Sequence, residues 1–174
     1  AGWTRAASIS TNVGSNEFAW EDDVENVGGR DALMQMLYHF NLGQPLLRPG
    51  TRIFAPLKTL APLSPAATEA GVEGWNIMPP PRPGSSEQVY IMDLAADSAG
   101  DTRVLASGLT NDEALGLRFN KRALPCLTVW RNTPAEADGY VVGIEPGTNF
   151  PNPRSFEQKQ GRIVELKPSE KWHA

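Results

Sequence analysis

Two short segments, far apart in the chain, carry the side chains best suited to chemistry. They are Leu37-Tyr38-His39-Phe40-Asn41-Leu42-Gly43 and Gly143-Ile144-Glu145-Pro146-Gly147-Thr148-Asn149-Phe150-Pro151-Asn152. The first holds the one histidine away from the C-terminus, and the second holds a carboxylate in an otherwise apolar run. An imidazole acid and a carboxylate base, flanked by apolar residues and followed by Gly or Pro, are the groups that acid–base proton transfer requires.

On an alternating strand Leu37, His39 and Asn41 face one way and Tyr38, Phe40 and Leu42 the other. Asn41 therefore shares a face with His39 and joins it as a candidate binding residue. The plainer alternative for His39 is a core imidazole bonded to a backbone carbonyl. Glu145 follows Tyr140, Val141, Val142 and Ile144, a strand rich in β-branched residues, and directly precedes Pro146. A carboxylate at the end of a buried strand is costly unless it is hydrogen-bonded or functional; the alternative is a side chain solvated at the strand tip. Gly147, Asn149, Pro151 and Pro153 then predict a rigid loop, with Asn149 a candidate ligand for substrate.

Other polar groups are weaker candidates. His173 stands next to the last residue and no cluster surrounds either histidine, so no metal site is expected. The single cysteine, Cys126, excludes an intrachain disulfide and a Cys-based zinc site, and favours a reducing compartment. No Gly-rich phosphate loop or nucleophile elbow is present, so no cofactor is expected. The acidic run Glu21-Asp22-Asp23-Val24-Glu25 lacks the Gly and bidentate Glu of a calcium loop and reads as a solvated strand edge. Of the five tryptophans, Trp130, next to Arg131, is the best candidate for stacking on the C–H face of a pyranose. Arg52, Arg118, Arg131 and Arg154 are available for hydroxyl or carboxylate recognition, and Arg131 is preferred for its position beside Trp130.

These groups must be held by strands. The 16 Gly and 15 Pro cluster between short alternating segments. Period-two recurrence of Val, Ile, Phe, Tyr and Trp predicts strands near 5–11, 17–27, 51–58, 88–96, 102–109, 115–121, 127–132, 140–145 and 161–167. Residues 31–42 satisfy helical spacing as well, but Met36–Asn41 is read as a strand. The Pro/Ala/Gly-rich stretch 61–84 reads as a long surface excursion able to border a cleft. Many short strands with frequent turns predict an all-β fold, an antiparallel sandwich or barrel.

With 174 residues the chain suits one domain, 1–174. A hydrophobic fraction of 40% and a charged fraction of 21% are those of a globular protein. The net charge of −4 argues against nucleic acid as a partner and fits a small neutral ligand better. No apolar run approaches the length of a membrane span, and the start has no apolar signal-peptide core, so a cytoplasmic protein with no membrane partner is expected. The missing initiator Met, with Trp3 and Ile9 already in strand-like alternation, suggests a processed or truncated product.

The segments LYHFNLGQPLL, EQVY (87–90), LPCLTVW (124–130) and VVGIEPGTNFPNPRSFEQKQGRIVELKPSE together resemble the C-terminal half of the galactose mutarotase-like, or aldose 1-epimerase-like, superfamily, and more narrowly a bacterial branch of it. The likeness runs from about Ala7 to Trp172, with EPGTNFPNP its most specific part. It implies a large antiparallel β-sandwich, here at half length. It also implies an isomerase activity in which His39 is the general acid and Glu145 the general base in sugar anomer interconversion. In the family an N-terminal half adds a further histidine and an arginine to the sugar site, and no segment of this chain matches them. A carbohydrate-binding sandwich without catalysis, and a structural domain whose open sheet edges are covered by a homo-oligomer, are the alternatives.

Overall fold

The computed structural model describes residues 2–174. Among them are thirteen strands, every pair antiparallel, and two α-helices of six residues. The chain divides into two compact units, residues 37–151 and residues 1–36 with 152–174.

The first unit holds two sheets. Five strands run in the order β4 (Phe40–Gly43), β11 (Val141–Gly147), β10 (Cys126–Asn132), β7 (Gln88–Leu94), β6 (Leu57–Pro62). Three more run in the order β5 (Arg52–Phe54), β8 (Asp101–Ser107), β9 (Ala114–Asn120). Alternation in these strands sends one row of side chains inward. Leu42, Val142, Ile144, Leu127, Val129, Tyr90, Met92 and Leu94 form the buried row of the five-stranded sheet, and Ile53, Val104 and Ala106 that of the three-stranded one. Each of these side chains is at most 5% exposed, and full burial of one aliphatic side chain is worth about 1.5–3 kcal/mol.

Most predicted strands are present, with three differences. The segment 51–58 is two strands in different sheets, because the chain turns at Ala55-Pro56, where Pro56 has no N–H to continue a ladder. The expected Met36–Asn41 strand is displaced to Phe40–Gly43, with only an isolated bridge at Leu37. Glu145 is not the last strand residue: β11 continues through Pro146, whose carbonyl accepts the Tyr38 N–H at 2.9 Å.

The stretch 61–84 is not simply a surface excursion. Its first residues complete β6, and Ser64 then caps α1 (Pro65–Ala70), accepting the Ala67 N–H. Ala67, Trp75 and Met78 are buried. The rest is anchored to the sheet: Arg131 donates to the carbonyls of Gly74 and Ile77, and the Tyr140 hydroxyl to that of Pro79.

The second unit contains β1 (Trp3–Thr11), β2 (Phe18–Asn26) and β13 (Lys171–His173) in one sheet, with β2 central, and the pair β3 (Ala32–Met34) and β12 (Val164–Leu166). The acidic run lies on β2 and alternates. Asp22 points inward, fully buried and bonded twice by Arg5, while Asp23 and Glu25 pair with His173 and Lys171. Helix α2 (Arg154–Lys159) places Glu157 in the interior at 0% exposure. Arg162 meets its two carboxylate oxygens at 2.6 and 2.8 Å, and Asn152 adds a further bond.

A buried carboxylate that loses its cation costs far more than an exposed ion pair contributes. Arg162→Met is therefore expected to destabilise the protein by about 3 kcal/mol in urea unfolding. A midpoint equal to that of the wild type would show that Glu157 is satisfied without the arginine.

Candidate active site

The five-stranded sheet builds the site by register alone. β4 pairs with β11 so that Asn41 opposes Gly143 and Leu42 opposes Val142. The same register continues outward through Leu37, which bridges Gly147, and so sets His39 directly across from Glu145. On the other side of β11, Thr128 of β10 opposes Glu145 and Trp130 opposes Gly143. Alternation then gathers His39, Asn41, Gly143, Glu145, Thr128 and Trp130 on one face of the sheet, opposite the apolar row.

His39 Nε2 lies 2.8 Å from Glu145 Oε1. The side chains differ sharply in exposure, 42% for the histidine and 5% for the glutamate. The contact is close, but the imidazole N–H is not aligned with the oxygen, so Glu145 Oε1 remains a buried atom with no hydrogen bond among the described residues. Thr128 Oγ1, on the facing position, is another. Burial raises the Glu145 carboxyl above the ordinary glutamate range; His39 opposes that shift and Glu87 adds to it.

Gly143 makes the arrangement sterically feasible. A Cβ there would sit 2.5 Å from Glu145 Oε1 and 2.9 Å from His39 Cε1, so the missing side chain is the space in which the pair meets. Trp130 closes one side. Its indole meets the His39 ring edge-on, with centroids 5.5 Å apart and planes at 69°, and its Nε1–H donates to Glu87 Oε2 at 2.7 Å.

Of the sequence-derived candidates, the structure brings His39, Glu145, Asn41 and Trp130 to one face. Arg131 is elsewhere: one position along β10 from Trp130, it points into the interior and is 5% exposed. There its guanidinium bonds Gly74, Ile77, Gln88 and Tyr90 and lies over the Tyr90 ring, so it holds the 74–77 stretch against the opposite side of the sheet. Asn149 is buried in the loop after β11, where its amide donates to the Phe150 carbonyl and its oxygen accepts from Thr148. Arg131 thus lies on the face opposite His39 and Glu145, and the Asn149 amide is bonded within its own loop.

Glu87, Thr128 and Gly143 are the residues that sequence reading passed over. Gly143 carried a signal, an isolated glycine inside a β-branched strand. Glu87 and Thr128 carried none, since their membership of this face depends on pairing between distant strands. Among the described residues no group of three His, Cys, Asp or Glu could hold a metal ion, and no helix is long and apolar enough to cross a membrane.

Comparison with known proteins places the molecule. A family model described as a domain of unknown function, DUF4432, matches residues 4–174. The chain belongs to the DUF4432 family. No curated protein matches it. Among solved structures, this DUF4432 chain is similar to one from Klebsiella pneumoniae described as "a putative aldose 1-epimerase", with a TM-score of 0.92 and 30% identity. The alignment covers 98% of this chain and 44% of that one, so the DUF4432 chain spans less than half of its relative's length. A TPR-domain containing protein from Parabacteroides distasonis shares the fold at a TM-score of 0.60 and 13% identity, over 99% of this chain and 29% of that one. The fold is thus an antiparallel, aldose epimerase-like β-sandwich, shorter than the full chain of the Klebsiella structure.

Two outcomes test the geometry. Gly143→Ala is expected to stay folded, because the atoms it meets are side-chain ends, and to separate Glu145 from His39; an unchanged His39 ring resonance in NMR would show that the gap is not needed. Glu145→Gln tests the buried charge. With its folded-state pKa raised, Glu145 binds its proton more tightly in the native than in the unfolded chain, so its contribution is present at acid pH and is lost as pH rises through the folded value. The Gln variant is therefore expected to gain stability relative to wild type between acid and neutral pH, read as the difference in urea midpoints. A constant difference across that range would contradict a raised Glu145.

Proposed function

We propose that this chain carries the acid–base pair of an aldose 1-epimerase-like isomerase, acting on a monosaccharide or modified sugar. The observation that carries the reading is the His39–Glu145 contact, an imidazole held against a buried carboxylate. The similarity to the Klebsiella chain supports the same chemistry.

The reaction suits groups this close together, because the anomeric hydroxyl and the ring oxygen are bonded to the same carbon. Glu145 takes the proton from the anomeric hydroxyl as the C1–O5 bond breaks, and His39 delivers a proton to O5. The open aldehyde rotates about C1–C2. O5 then attacks the other face of C1, returning its proton to His39 while Glu145 reprotonates O1, and the net change is one anomer for the other. His39 is half exposed, so its outer edge is open to an incoming sugar, whereas Glu145 is buried in its strand. Trp130 offers an apolar wall for the pyranose C–H face and Asn41 a donor and an acceptor for its hydroxyls.

Sugar binding without interconversion is the second reading, favoured by the 2.8 Å approach of the two groups, which leaves no room for a sugar hydroxyl between them in the free protein. Polarimetry on freshly dissolved single anomers of several aldoses separates the two. Acceleration over buffer is expected, falling by roughly 10²-fold or more in Glu145→Gln. Equal rates in the two proteins would remove Glu145 from the mechanism, and calorimetric binding without acceleration would select the second reading.

A further inference from the structure

Glu87 is a further polar group tied to this face, and the acid–base chemistry above makes no use of it. It lies immediately before β7, one step beyond the β7–β10 register, on the line that continues through Val89 and Ile91 beside Trp130 and Thr128. An exposed glutamate ordinarily points into water. Here one oxygen is committed to the Trp130 indole at 2.7 Å. Indole N–H can only donate, and a charged acceptor makes the stronger class of hydrogen bond. Trp130 in turn meets His39 edge to face, so the orientation of the indole limits where the imidazole can rest.

We propose that Glu87 is a positioning residue for the His39–Glu145 pair: it fixes the Trp130 indole, which holds His39 against Glu145, and it supplies a second negative charge to that face. The proposal rests on the acid–base reading of the pair, but its geometry does not depend on which sugar is bound. The titratable and charged groups on this face of the sheet, beside Glu145 itself, are His39 before β4, Glu87 before β7, the Cys126 thiol on β10, and Asp93 on β7, and of these His39 and Glu87 act on Glu145. Asp93 is already paired with Lys121, and Lys58 lies in the irregular part of the β6–β7 pairing. Glu87 is the carboxylate whose repulsion adds to the rise of Glu145. A bond that merely tied down a surface tryptophan would alter stability but not the titration of Glu145.

The test is a carboxyl ¹³C NMR titration, with the Glu145 resonance assigned by its loss in Glu145→Gln. Glu87→Gln keeps an acceptor for the indole and removes the charge; the Glu145 midpoint is expected to move to lower pH with the indole N–H still protected. Glu87→Ala removes both; with the indole released His39 no longer lowers Glu145, so the midpoint is expected to lie above that of Glu87→Gln, together with indole N–H exchange faster by about tenfold. Trp130→Phe added to Glu87→Gln removes the donor with the charge already gone, and the midpoint is expected to rise relative to Glu87→Gln alone. An unchanged midpoint in Glu87→Gln overturns the role of the charge. No rise in the double variant overturns the positioning through the tryptophan. No sugar or turnover is needed, so failure here is distinguishable from failure of the epimerase reading.

Discussion

Glu145 is a carboxylate almost wholly removed from water whose close partner is one half-exposed imidazole. Burying such a group costs several kcal/mol unless polar partners replace its hydration. Around it the sheet supplies little: a glycine on one side, a threonine hydroxyl and a tryptophan on the other. The cost is offset by the packing beneath, where the apolar row of β4, β11, β10 and β7 is nearly fully buried and fixes the backbone that carries Glu145. The strain of the site is thus electrostatic, and the register of β4, β11 and β10 holds it in place.

That constraint explains the division of labour on the sheet's two faces. One residue along β10 separates Trp130, beside His39, from Arg131, sunk among Tyr90, Gln88 and the carbonyls of the 74–77 stretch. Burial lowers the Arg131 pKa, and its neighbours are carbonyls and a phenol with no carboxylate among them. Arg131 therefore acts as a fastening for a long connection, stiffening the strand whose other face carries the pair. The chemistry and the scaffold share β10 by alternation.

Legibility followed the same line. His39 and Glu145 stood out because a lone imidazole and a carboxylate in β-branched runs are unexpected for local reasons, and Asn41 followed from spacing of two. Proximity in sequence misled at Arg131, since adjacent strand residues face opposite ways and the face that met the interior was not readable from LTVWRN. The Pro and Gly content of the stretch 61–84 points to surface, but Trp75 and Met78 supply core, beside the carbonyls that Arg131 holds. Asp22 is paired in the interior by Arg5 of the neighbouring strand, and Glu157 by Arg162 five residues on.

Composition and periodicity determined on their own that the chain is all-β, with short strands between Gly and Pro turns, and singled out one histidine and one strand-borne glutamate as the candidates for acid–base chemistry. The tertiary structure alone decided that these two are neighbours, that Gly143 makes room for them, and that Glu87 reaches them through Trp130. Alternation is a local property, set by the pleat of each strand. Register is a property of pairs of strands distant in sequence, and a shift of one residue would have turned Glu145 into the core and Arg131 toward the site.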